Sequence, residues 1–225
     1  MTPWDIRVLK LIYMPLRIIP LVNGQYYHIF NRSINKEPIF TRLKDCQRAI
    51  FTMNYYRFKD SPLKLAYFLA LGFDVRNDIM VSLIKTSKTL VDIICYCLMP
   101  NHFHILLKQN EENGISRFFN TKHSRQGHLF QGQFKAVRIE DEEQLIHVSR
   151  YIHLNPYSSF VVKTITNLKE YRHSSLKEYL DSAVGICKKE IVTSLFSKKF
   201  TYEKFVFDSA DYQRKLNTIK HLAIE

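Results

Sequence analysis

The stretch Tyr96-Cys97-Leu98-Met99-Pro100-Asn101-His102-Phe103-His104-Ile105-Leu106-Leu107 decides how this chain is read. Its residues favour strand on both sides of Pro100, which has no amide hydrogen to give a ladder and so sets a bend or a new start. Strands are expected over Leu90 to Cys97 and His102 to Lys108. Side chains two apart on a strand leave by the same face. His102 and His104 therefore share one face, and Phe103 points to the core on the other. Paired imidazoles are common ligands of first-row metals, although a His-x-His pair alone is more often structural. By the same alternation Cys95 and Cys97 lie on the face opposite Tyr96.

A second element, Arg150-Tyr151-Ile152-His153-Leu154-Asn155-Pro156, reads as the end of a helix. Asp141 is the expected N-cap, with Gln144 as its capping-box partner. Leu145, Val148 and Ile152 recur at helical spacing and form an apolar stripe. Tyr151 and Asn155, four apart, stand on one face. Pro156 disfavours helical geometry at the residue before it, so the helix is expected to end at Asn155. A phenol one turn before a carboxamide offers a nucleophile and a third metal ligand. In isolation the segment more often reads as a buried Tyr beside a C-capping Asn.

Taken together, Met99-Pro100-Asn101-His102-Phe103-His104 and Tyr151-Ile152-His153-Leu154-Asn155-Pro156 resemble the signature of the REP-associated tyrosine transposases, members of the HUH single-strand transposases. Tyr27-His28-Ile29-Phe30-Asn31-Arg32 resembles that family's first strand. Gly127 to Ala136 resembles the loop and strand before the Tyr helix, and Tyr171-Arg172-His173-Ser174-Ser175 the segment after it. The resemblance spans roughly Arg17 to Leu180. It departs at Phe118-Phe119, where the family carries about a dozen more residues, some three helical turns. Gln133 and His173 stand where a basic residue and Trp are common.

The resemblance implies an α+β fold, a ferredoxin-like antiparallel sheet with helices packed on one face, and a helical C-terminal tail. The β-α-β-β-α order of the expected elements agrees. Domain limits follow: an extension over 1–16, a transposase-like catalytic domain over 17–180, and the tail over 181–225. The implied activity is metal-dependent nicking and strand transfer of single-stranded DNA through a 5′-phosphotyrosine. Tyr151 is the implied nucleophile. His102, His104 and Asn155 are the implied ligands of Mg²⁺ or Mn²⁺, with Mn²⁺ the better match to imidazole. The expected partner is single-stranded DNA, with hairpin structure, bound by a monomer or homodimer. Two other readings stand beside this one. The first is a DNA-binding remnant, because the missing turns shorten a helix to a marginal length. The second is a single-strand RNA-binding module using the same sheet.

Composition fits a polyanionic partner. The 225 residues carry a net charge of +12, enough for an electrostatic footprint on nucleic acid. Arg32, Lys36, Lys122, Arg125, Lys135, Arg138 and Arg150 cluster around the matched motifs and are the candidate DNA contacts. Tyr27, Phe119, Phe130 and Phe134 lie among them as candidate stacking rings, though each suits a core position as well. Cys46, Cys95, Cys97 and Cys187 show no C-x-x-C spacing, which disfavours a zinc site and fits a reducing cytoplasm. No apolar run is long enough to span a membrane. Val8 to Val22 is broken by Lys10, Arg17 and two prolines and does not read as a signal peptide. Met14 is a natural start, since the resemblance begins after it. Helices are further expected over Asp45 to Phe58, within Leu63 to Leu90, over Gly114 to His123, over Ser174 to Asp181 and beyond Cys187, with a strand over Gly132 to Ile139.

Overall fold

The computed structural model describes residues 20–119, 129–181, 184–197 and 200–215. Its centre is the β-hairpin that the opening stretch encodes. Strand β2 (Val91–Met99) turns at Pro100-Asn101 into β3 (His102–Gln109). The turn is held from outside, because the amides of Ile39 and Phe40 both donate to the Pro100 carbonyl. β1 (Tyr26–Arg32) pairs with β3 and with β4 (Lys135–Ile139), giving the order β2-β3-β1-β4 with every pairing antiparallel. This is the α+β, ferredoxin-like sheet expected from the sequence.

Helix α1 (Leu43–Tyr56) connects β1 towards β2, and two further helices, α2 (Leu65–Ala70) and α3 (Phe73–Thr86), are inserted after it. The short α4 (Gly114–Phe119) lies between β3 and β4; the residues expected to continue it to His123 fall outside the described ones. A Cβ at Gly114 would run into the Leu90 carbonyl, so glycine lets α4 dock against the start of β2. After β4 come α5 (Glu142–Ser158), α6 (Ile165–Lys169), α7 (Leu176–Leu180), α8 (Glu190–Thr193) and α9 (Tyr202–Phe207). Among the described residues no helix is long and apolar enough to cross a membrane.

Helices cover both faces of the sheet, not the single face expected. Tyr27, Ile29, Phe103, Ile105 and Leu107 pack with Cys46 and Met53 of α1 and with Ile115 and Phe118 of α4. On the other face Cys95, Cys97, Met99 and Leu106 pack with Leu145, Ile152 and Leu154 of α5, and Val192, Tyr202, Phe205 and Val206 join them from the C-terminal helices. The physical reason lies in β2. All nine of its residues are buried, and a strand covered on both sides reads as a continuous apolar run without alternation. Cys95 and Cys97 do face away from Tyr96, and all described cysteines are free thiols.

The outer edge of β2 is closed by the segment after α6. The Leu98 amide donates to the His173 carbonyl at 2.8 Å, the Ser175 amide to the Tyr96 carbonyl at 3.0 Å, and Tyr171 Oη to the Leu98 carbonyl at 2.8 Å. The Tyr171-to-Ser175 motif thus acts as an edge cover, which keeps an unpaired strand from recruiting another chain.

Helix α5 starts where its caps direct. The Asp141 carboxylate accepts from the Gln144 amide at 2.7 Å, and Gln144 Oε1 accepts from the Glu140 amide at 2.7 Å. Its end differs from expectation: the helix runs through Pro156 to Ser158. Proline there removes one amide donor in the last turn, a small loss. The turn is kept by the Ser159 amide donating to Asn155 and the Val162 amide donating to Pro156.

Candidate active site

Strand alternation and helix periodicity bring the two sequence elements together. His102 and His104 leave β3 towards α5, and Tyr151 leaves α5 towards β3. The His104 and Tyr151 rings meet edge to face at 5.5 Å between centroids, and His102 meets His104 in the same manner at 5.1 Å. Asn155, one turn after Tyr151, is 4 % exposed, accepts from Ser159 Oγ at 3.3 Å, and lines the same cleft as His102 and Tyr151, whose proton affinities it influences. These four side chains line a cleft of about 610 Å³, with Phe30, Asn31, Arg32, Gln131, Lys135, Arg150, Ser158, Ser159, Ser209, Tyr212 and Gln213 around them.

Burial and charge set the protonation of the site. Desolvation lowers His102 to about 4, aided by the Arg32 guanidinium and opposed by the Asn155 hydrogen bond. His104 lies well below the usual histidine range, through burial first and then the neighbouring His28, His102 and Arg32 charges. Both rings are neutral at pH 7 and carry a lone pair. Each also has Nδ1 engaged: His102 with Asn101 Oδ1 at 2.7 Å, and His104 with His28 Nε2 at 2.9 Å. Burial raises the Tyr151 phenol, against the opposing pull of Asn155 and Arg32, so it too is protonated at neutral pH.

The side chains that could be offered to an ion here are two neutral imidazoles and a carboxamide. Among the described residues no three His, Cys, Asp or Glu side chains converge as a metal cluster. His28 lies close, but its Nε2 is turned to His104. The residues fit a cation of mixed nitrogen and oxygen preference, with other positions left to phosphate oxygens and water.

Three of the candidate DNA contacts gather at the cleft. Arg32 pairs in register with His102, Lys135 with Phe30, and Arg150 precedes Tyr151. Arg150 is tied down by Ser209 Oγ at 2.8 Å and lies over the Phe205 ring at 4.3 Å. Arg138 is placed elsewhere. It pairs with Tyr27 and so emerges on the α1 face, where it donates to Gln25 at 3.0 Å. Lys36 sits in a 3₁₀ turn beside Asn101 and does not line the cleft. Lys122 and Arg125 lie outside the described residues.

The four candidate stacking rings also lie on the α1 face. Tyr27 is 1 % exposed. Phe119 stacks on Phe103 at 5.9 Å and packs on Phe134 at 4.5 Å, while Phe130 meets Phe103 edge-on at 5.1 Å. They seal the sheet beside the short α4.

The sequence reading did not single out His28, Phe30, Gln131, Ser158, Ser159, Ser209, Tyr212 or Gln213. For His28 a signal existed: Tyr27 and Ile29 alternate as core residues, which sends His28 and Phe30 to the opposite face. The C-terminal members carried none, since only folding brings 209–213 beside α5.

No protein-family model and no curated protein sequence matches this chain. Among solved structures, that of a REP-associated tyrosine transposase bound to a REP hairpin aligns with a TM-score of 0.45 and 13% sequence identity, covering 74% of this chain and 86% of that one.

Proposed function

We propose that this protein is a metal-dependent nickase and strand-transfer enzyme for single-stranded DNA, a transposase working through a 5′-phosphotyrosine. The observation that supports the reading is the convergence of Tyr151, His102, His104 and Asn155 in one cleft edged by Arg32, Lys135 and Arg150. Pure binding of DNA or RNA has no need of that quartet.

His102, His104 and Asn155 would hold Mn²⁺ or Mg²⁺. The chemistry such an ion supplies is polarisation and orientation of a scissile phosphate. The chain's own residues do the remainder. Arg32 and Lys135 bind backbone phosphates, while Phe30 and the exposed ring of Tyr212 offer faces on which bases stack. Tyr151 Oη attacks phosphorus in line. A phosphorus–oxygen bond to tyrosine forms, the bond to the 3′ oxygen breaks, and the phenol proton ends on the departing 3′-hydroxyl. Water is not consumed, so the bond energy is conserved and a 3′-hydroxyl can reverse the step to rejoin a strand.

The test is a single-stranded oligonucleotide carrying a hairpin, incubated with the protein and Mn²⁺ and run on a denaturing gel. The expected result is a covalent protein–DNA adduct that disappears on chelation. Salt-sensitive binding with no adduct would turn the reading into the DNA-binding remnant, and a preference for RNA would turn it into the RNA module.

A further inference from the structure

We propose that His28 is a positioning residue that holds His104 in the tautomer needed to present a lone pair on Nε2. The inference rests on the reading of His102 and His104 as metal ligands. It starts from β1, where alternation about the buried Tyr27 and Ile29 puts His28 on the cleft side of the sheet. In the β1–β3 ladder His28 pairs with Leu106 and Phe30 with His104, which makes His28 the diagonal neighbour of His104, within reach of a long or aromatic side chain. The two rings lie at 5.1 Å and 28° to each other, and His28 Nε2 stands 2.9 Å from His104 Nδ1. The same ring meets Tyr151 edge-on at 6.0 Å.

The chemistry follows from counting protons. Between two neutral imidazoles one nitrogen donates and the other accepts. If His104 Nδ1–H donates to His28 Nε2, the His104 Nε2 is bare. If His28 donates, His104 must carry its proton on Nε2 and cannot ligate there. A ligating histidine is normally fixed by the hydrogen bond that its other nitrogen makes. His102 has that support from Asn101 Oδ1, at 2.7 Å from its Nδ1. His28 gives His104 the equivalent support, from a different strand. Among the described residues nothing else bonds a ring nitrogen of His104. Packing alone would be served by any ring of that size; what His28 adds is the hydrogen bond.

Two measurements test it. In the metal-free protein, long-range ¹H–¹⁵N spectra of the imidazoles should show His104 as the Nδ1–H tautomer, and that signature should be lost in His28→Phe. In calorimetry, His28→Phe should weaken Mn²⁺ binding roughly tenfold to a hundredfold, the usual effect of removing such a support. His28→Gln, whose amide oxygen accepts from Nδ1–H, should retain most of the affinity. Should His28→Phe fail to fold, His28→Leu against His28→Gln carries the same comparison. An Nε2–H tautomer in the wild type, or unchanged Mn²⁺ affinity in His28→Phe, overturns the proposal. A wild-type protein that binds no Mn²⁺ overturns the metal reading itself, and the tautomer then judges His28 independently.

Discussion

His104 and His153 are both buried, neutral imidazoles, and only one of them has an edge to spare. His153 falls between Tyr151 and Asn155 in the sequence, yet it points out of the opposite side of α5 and is fully buried. Its Nδ1 bonds Tyr202 Oη at 2.7 Å and its Nε2 bonds Ser175 Oγ at 2.9 Å. Those hydroxyls are themselves occupied, Tyr202 donating to Ser149 at 3.1 Å and Ser175 accepting from the Tyr96 amide at 2.8 Å. His104 has one nitrogen engaged by His28 and lines a cleft. Desolvation depresses both rings, His153 to about 3. Burial and a perturbed proton affinity therefore do not mark a site by themselves. What separates the two is whether the hydrogen-bonding capacity is used up inside the core or left facing a cavity.

The largest effect is expected at the phenol that His104 meets in space and His153 follows in sequence. Tyr151→Phe should abolish the covalent adduct while leaving DNA affinity nearly intact, read on denaturing gels and by fluorescence anisotropy. An adduct that survives would assign the chemistry to another tyrosine. Next come the imidazoles. The His102→Ala/His104→Ala double variant should lose Mn²⁺ affinity and metal-dependent cleavage, measured on the fraction that remains folded. Asn155→Ala should weaken both less, since water can replace an amide oxygen. Undiminished Mn²⁺ affinity in the double variant would sink the ligand assignment.

His153→Ala should behave in the reverse way. Its cost falls on stability, on the order of 3 kcal/mol from the cavity and the stranded hydroxyls, while the folded fraction binds Mn²⁺ as the wild type does. His153 also makes stability depend on pH. An imidazole lowered from 6.5 to about 3 on folding binds fewer protons in the native state than in the unfolded one. Its native form thus carries no penalty above pH 6.5, and stability drains away as the pH falls from 6.5 towards 3. Full development would reach roughly 5 kcal/mol. The melting temperature against pH should slope less in a His153→Phe variant than in the wild type over that window; parallel slopes would remove His153 from the account. The smallest effect concerns charge. Lys135→Gln should reduce the salt dependence of single-strand binding by about 0.7 in the log–log slope, and Arg138→Gln, on the far face, should leave it unchanged.

Much of this was legible one element at a time. Alternation in His102-Phe103-His104 put two imidazoles on one face and a phenyl on the other, as the ladder has them. The Asp141–Gln144 cap and the Leu145–Ile152 stripe oriented α5, and the spacing of Tyr151 and Asn155 put both on one face. Where a reading missed, it missed on relations between elements. Arg138 looked like a member of the basic cluster until its pairing with Tyr27 put it across the sheet. Tyr27, Phe119, Phe130 and Phe134 sat close in sequence to cationic residues, yet pack on the α1 side.

Which residues share a face can be read from the chain before it folds, because the periods of strand and helix are fixed by backbone geometry. So can the hairpin at Pro100, the start of α5 and the pairing of phenol with carboxamide. Packing between elements brings His28 to His104, sets Ser209, Tyr212 and Gln213 along the cleft, and spends His153 inside the core while Tyr151 and Asn155 face the cleft. Those outcomes depend on strand register and on which helix packs where, and a shift of one residue in register sends every side chain of a strand to the other face.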